Sequence, residues 1–237
     1  SPSEQTDETV WNSVFYTGAR VNKLYGALGE DRTYSQDLSI VWNLNSDCEL
    51  VDGLGADAYN ASSERGNMNY NQNPGWSKID GVWTALYGII EDANLNISGI
   101  RQSSLLTAGG SDQKSMERYL GESLTLRAMI YFDLVKMFGD VPFRFNKADD
   151  DGANYTIPVL DRTAVQDSII ADLKKASLHM QYANAVTVER CSKEFAQALI
   201  SRIALTAGGY SLRPDKSNPK SYGTMQRPDN YLEYYKI

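Results

Sequence analysis

The chain has 237 residues, 42% of them hydrophobic, which is enough apolar material for one large domain or two small ones. Its formal net charge is −7, and the 23 basic residues are scattered with no basic helix face, which argues against nucleic acid as a partner. With a single histidine, His179, and two distant cysteines, Cys48 and Cys191, a zinc site of Cys and His type is excluded in practice.

The two cysteines admit a disulfide, but two buried thiols is the plainer reading. No apolar run reaches the ~18 residues that a membrane-spanning helix needs. The opening residues, SPSEQTDETVW, are polar and carry no signal-peptide pattern. Either the chain works in the cytosol or its targeting segment lies outside these residues, and composition does not choose.

Helical periodicity begins at once. Thr6 suits an N-cap, and Asp7 and Glu8 suit the first turn of a helix, where carboxylates meet the positive end of the dipole. Apolar residues recur at Trp11, Val14, Phe15, Val21, Leu24, Tyr25 and Leu28, so one helix is expected over 6–29, with Gly29 as its stop. From 31 to 81 the pattern fails, apart from a short apolar piece at 39–44. That segment holds glycines at 53, 55, 66 and 75 and many asparagines, and loops of such length inside a compact domain are usually functional.

Periodicity resumes at Val82, Trp83, Leu86, Tyr87, Ile90, Asn94, Ile97 and Ile100, which predicts a helix over 82–100. A second stripe, Met116, Leu120, Leu124, Ala128, Tyr131, Val135 and Phe138, predicts a helix over 112–138, closed by Gly139 and Pro142. Further helices are expected over 163–180 and 193–207, with a polar turn from there to Arg227. Pro228 suits a first helical position, and Tyr231, Leu232 and Tyr235 begin an apolar face. The chain therefore reads as stopping inside a starting helix, as a piece of a longer protein would, with that face exposed.

The expected fold is all-α with minor sheet. Small residues, Ala196, Ala198, Ala204 and Ala207 facing Ala171 and Ala176, mark helix crossings of the kind that stack in tetratricopeptide repeats. A plain helical bundle is the alternative.

Three stretches together resemble the SusD/RagB family. The first is Trp83, Leu86, Tyr87, Ile90, Ala93 and Asn94 on one helix. The second and most specific is the run from Glu122 through Leu126, Arg127, Ala128, Tyr131, Phe132, Leu134, Val135 and Phe138 to Gly139-Asp140-Val141-Pro142. The third couples Ile169, Asp172, Leu173 and Ala176 to Lys193, Ala196, Ala198, Leu199, Arg202 and Leu205. They occur in the family's order and cover most of 83–208.

The resemblance implies a right-handed superhelical array of degenerate tetratricopeptide-like helix pairs with long irregular loops, occupying 1–237 as the N-terminal half of the family. It further implies non-catalytic capture of oligosaccharides or polysaccharides at the outer cell surface. Delivery would be to a SusC-like TonB-dependent transporter, with a lipid anchor in the outer membrane and no cofactor. The family's lipid-bearing cysteine and its C-terminal half, which holds much of the glycan site and any calcium site, have no counterpart in these residues. Rival readings are a tetratricopeptide scaffold for peptides and, less favoured, an all-α glycosidase with paired carboxylates.

Candidate sites are few. No GxSxG, HExxH, P-loop or GxGxxG is present, and His179 at a helix end suits a dipole contact, so no catalytic residue is assigned. Glu122 and Arg127, on an apolar helix, read as structural ions pinning neighbours. Gly139-Asp140-Val141-Pro142 reads as a turn. Asp149-Asp150-Asp151-Gly152 fails the EF-hand pattern, with Ala153, Asn154 and Leu160 where ligands and glycine belong. The glycan-binding candidates lie on the loop 52–78: Trp76, Tyr70, Asn71 and Asn73, with Asp52 and Arg65 upstream. Aromatic rings stack on sugar CH faces, and amides and carboxylates answer hydroxyls.

Overall fold

A computed structural model describes residues 7–43, 74–148, 156–215 and 217–227. Among the described residues six α-helices carry the fold: α1 Asp7–Trp11, α2 Val14–Leu28, α3 Ser77–Gln102, α4 Gly110–Phe138, α5 Arg162–His179 and α6 Lys193–Gly208. Two small antiparallel pairs complete it. Strands β1 Val141–Pro142 and β2 Val159–Leu160 form one, and β3 Ser211–Asp215 and β4 Asn218–Met225 the other. The fold is thus mostly helical, as the periodicity predicted, and successive helices from α3 to α6 pack side by side.

The expected first helix is broken. Asn12 and Ser13 leave the helix, and the Ser13 hydroxyl accepts from Tyr16 N–H at 3.4 Å to start α2. The Asn12 side chain is drawn away to Ser103 and Ser104. The break resets the phase of the helix, so Thr17, Gly18, Val21 and Leu24 face inward and Phe15 is 78% exposed.

Helix α3 begins five residues before its predicted start, because Ile79 and Asp80 already bond back to the Trp76 carbonyl, both at 2.8 Å. Helix α4 is buried on nearly every side between Tyr119 and Val135, since α2, α3 and α5 surround it. That is why its ionic residues Glu122, Arg127 and Asp133 lie inside the protein. Gly139 stops α4 at φ 78°, a conformation glycine alone adopts freely, with its N–H on the Val135 carbonyl.

The small-residue crossings are only partly those expected. Ala176, Ala196, Ala204 and Ala207 are buried, whereas Ala171 and Ala198 face solvent. Helices α4 and α5 approach closely at Gly121, where an added Cβ would lie 2.5 Å from Met180 Cγ and 3.1 Å from the Ala176 carbonyl.

The predicted polar turn after α6 contains the β3–β4 hairpin. Its register runs from Ser211↔Met225 to Pro214↔Tyr222, with an irregularity at Pro214/Asp215. Prolines and exposed apolar residues such as Leu212 and Tyr222 obscure alternation in the sequence. A two-stranded pair tolerates them because both strands are edges. Arg227 anchors its far end, reaching both Asp167 carboxylate oxygens at 2.9 Å. The apolar face expected at Tyr231, Leu232 and Tyr235, and Pro228 before it, lie outside the described residues.

Candidate glycan-binding surface

The described end of the loop 52–78 is fixed by a clamp from residues 32–42. Asp37 is fully buried between Lys78 Nζ at 2.7 Å and Arg32 Nη1 at 3.4 Å. Arg32 Nη1 also donates to the Ser77 carbonyl at 2.7 Å, and Trp42 Nε1 donates to the Lys78 carbonyl at 2.9 Å. A buried carboxylate between two cations is a costly arrangement to break. The head of α3, and Trp76 with it, is therefore held in place. None of these clamp residues belongs to a helical stripe, and periodicity did not single them out.

Trp76 occupies the N-cap position of α3 with an extended backbone and a half-buried side chain. Within α3, Trp83 and Tyr87 stand one turn apart on one face. These rings continue an aromatic row. Trp42 meets Phe138 at 5.3 Å between centroids, Phe138 meets Trp83 edge-on at 4.8 Å, and Trp83 meets Tyr87 at 4.9 Å. All four are partly buried.

The row ends at a shallow cleft of about 210 Å³ whose lining includes Tyr87, Glu91, Asn94, Tyr131 and Arg144. The Tyr87 hydroxyl donates to the Pro142 carbonyl at 2.7 Å. Burial raises the Tyr87 and Tyr131 phenol pKa values, so both remain neutral hydroxyls. The partly exposed Tyr87 ring beside the partly exposed Glu91 and Arg144 suits a polyhydroxylated ligand, whereas Asn94 and the Tyr131 hydroxyl are buried and bonded within the protein.

Of the sequence candidates, only Trp76 falls among the described residues; Tyr70, Asn71, Asn73, Asp52 and Arg65 lie outside them, as do Cys48 and the acidic run at 149–152. The ionic pair on α4 has the structural role expected, though Glu122 and Arg127 serve different partners. Arg127 Nη1 donates to Asn94 Oδ1 at 2.7 Å and to the Phe145 carbonyl at 3.0 Å. Its Nη2 meets Asp172 Oδ2 at 2.5 Å. The guanidinium also covers the Phe145 ring at 3.8 Å. Burial lowers the Arg127 pKa, and Asp172 opposes that fall.

Glu122 accepts from Arg190 Nε at 3.0 Å and Nη2 at 2.6 Å, which raises the Arg190 pKa. Asp133 is shared by Lys136, at 2.6 Å, and the Tyr34 hydroxyl. Asp140 accepts from the Arg162 backbone N–H at 3.1 Å and from its Nε at 2.9 Å, the structural turn expected at 139–142. Among the described residues no group of three His, Cys, Asp or Glu side chains could hold a metal ion, and no helix is long and apolar enough to cross a membrane.

Cys191 is a buried free thiol, and its backbone N–H donates to the Tyr25 hydroxyl at 3.0 Å. Burial pushes the thiol up to about 11, so it is protonated and unreactive at neutral pH. In a Cys48→Ser background, alkylation of Cys191 at pH 8 should run at least tenfold slower in the folded protein than in urea. Equal rates would show that the thiol is accessible.

Helix hairpins stacked side by side define a tetratricopeptide-like helical-repeat protein, the fold shared by its solved neighbours. Residues 3–205 match the family model of SusD-like proteins described as "Starch-binding associating with outer membrane", and the chain belongs to that family. A solved SusD homolog from Bacteroides thetaiotaomicron superposes with TM-score 0.76 at 26% identity, over 88% of this chain and 39% of its own. A solved laminarin binding SusD-like protein superposes at 0.64 with 22% identity, over 82% of this chain and 40% of its own. SusD-like protein P2 of Formosa agariphila is 24% identical over 195 residues, 81% of this chain and 36% of that protein. The chain thus spans between a third and two fifths of these relatives.

Proposed function

We propose that this chain is the N-terminal helical half of a protein that binds oligosaccharides or polysaccharides at the outer cell surface without catalysis. The observation that carries the reading is the family match over residues 3–205. The partly exposed rings of Trp76, Trp83 and Tyr87 along the first turns of α3 supply surface suited to sugar rings. By the same reading the bound glycan passes to a SusC-like TonB-dependent transporter, and a lipid anchor holds the protein to the outer membrane.

Glycan-array binding and calorimetry on the protein, with product analysis after prolonged incubation, test the reading. Saturable binding with intact oligosaccharide is expected, and released shorter products would replace it with an enzymatic function. Trp76→Ala should weaken oligosaccharide binding by roughly 1–3 kcal/mol, the scale of a central aromatic contact. The melting temperature should move little, because the α3 cap uses the Trp76 backbone and no side-chain hydrogen bond. Unchanged affinity in a folded variant would remove Trp76 from the surface.

A further inference from the structure

Far from Trp76, the C-terminal third of α3 borders two adjoining hollows that share Ser98, Gln102 and Lys147. At 1.5 Å rise per residue, Gly99 lies about 35 Å along the helix from Trp76, and the groove meets the cleft beside Tyr87 at Asn94, which lines both. Arg20 and Trp11 line the first hollow, and Arg101 lines the second. Among the described residues no carboxylate lines either one, although the chain carries a net charge of −7.

Among the described residues the side chains of Arg20, Arg101 and Lys147 form no ion pair, whereas the flanking acids are engaged elsewhere. Glu91 accepts from the Ala148 N–H at 2.6 Å and faces Arg144, and Asp92 pairs with Lys23 at 2.8 Å. Asp149, Asp150 and Asp151 follow Lys147 in sequence and lie outside the described residues.

The groove is built on a fixed floor. Trp11 rests directly on α3 at Gly99, where an added Cβ would come within 2.1 Å of its ring, and its remaining surface lines the hollow. Asn94 Nδ2 donates to the Asn146 carbonyl at 3.0 Å and Asn94 Oδ1 accepts from Arg127, which fixes the backbone beside Lys147. Asn96 Nδ2 donates to the Arg20 carbonyl at 3.3 Å and so fixes the turn that carries Arg20. An indole surface, an amide, a hydroxyl and three cations that form no ion pair among the described residues make a set that a neutral sugar would use only in part. An acidic sugar would use all of it, its ring on the indole and its anionic group on the cations.

We infer that this groove binds the anionic groups of an acidic oligosaccharide, a carboxylate or a sulfate ester. The inference rests on the glycan-binding reading above and adds to it a second contact surface and a ligand class. Tetragalacturonate, a sulfated carrageenan tetrasaccharide and neutral cellotetraose are the probes, titrated calorimetrically into the protein and into an Arg101→Gln/Lys147→Gln variant. Both substituted side chains are partly or fully exposed, so the variant should keep its melting temperature.

At least one anionic probe should bind roughly tenfold or more tightly than the neutral one, the worth of one charge-assisted hydrogen bond. That preference should fade as salt rises and vanish in the variant. The response to galacturonate against sulfate identifies which anion is read. Equal binding of anionic and neutral probes overturns the inference and leaves the glycan-binding reading standing. An anionic preference that survives in the variant also overturns it, as does variant-sensitive binding to phosphatidylglycerol vesicles without any saccharide preference. No binding by any oligosaccharide, on the probes and on the glycan array alike, removes the underlying reading as well.

Discussion

Replacing Arg127 with leucine is expected to lower the unfolding free energy by about 3–5 kcal/mol, the cost of leaving a buried ionic partner alone. The Arg127 side chain is 1% exposed and Asp172 4%, so water cannot reach the abandoned carboxylate without opening the α4–α5 contact. The guanidinium also joins α3 through Asn94 and the segment after β1 through Phe145, so three elements lose a common tie. Arg127→Lys should recover little, because an ammonium cannot offer the planar fork that reaches Asn94, Phe145 and Asp172 together. An Arg127→Met/Asp172→Leu double variant should regain part of the loss by removing the orphaned charge. Full recovery is not expected, since the Phe145 carbonyl and Asn94 Oδ1 lose their Arg127 donor. Urea unfolding of the three variants measures these differences. A loss below 1 kcal/mol for Arg127→Leu would show that Asp172 finds another partner or a proton.

Glu122→Leu should cost less, about 2–3 kcal/mol, although Glu122 is completely buried. The difference lies with the partner. Arg190 keeps 20% of its side chain exposed and can swing into water when its carboxylate is gone. The consequence is local as well as global. Arg190 bonds Asn22 of α2 at 2.9 Å and lies over the Tyr25 ring at 5.1 Å, so it fastens the α5–α6 connection to α2. Without Glu122 that connection should open first, and trypsin should cut after Arg190 under conditions where the parent chain is intact. Cys191 alkylation should accelerate in the same variant. Global destabilisation with no gain in cleavage at Arg190 would argue that the connection is held by other contacts.

The sequence by itself determined the helices α3 to α6, because each carries an apolar stripe long enough to outweigh local ambiguity. It also indicated the family, through the run from Glu122 to Pro142, whose spacing records a buried helix, its glycine stop and the strand that follows. Residues whose position depends on one local choice were beyond it. Asn12 and Ser13 break the first helix because Ser103 and Ser104, some ninety residues away, receive the Asn12 side chain. The hairpin after α6 gave no alternation because none of its described side chains is fully buried.

For the candidate surface, composition pointed to Trp76 through its aromatic character and the glycine and asparagine around it. Only the tertiary structure decided the clamp beneath it, since Arg32, Asp37 and Trp42 reach the head of α3 across 36 to 45 residues of chain. The same holds for the groove at the far end of α3. Trp11, Arg20, Arg101 and Lys147 come from four separate segments, and charges scattered in sequence become a cluster only when helices α1, α2 and α3 pack around them. Periodicity is a property of one element, so it reports which face is buried. The grouping of charges and rings into a surface is a property of several elements, and packing alone sets it.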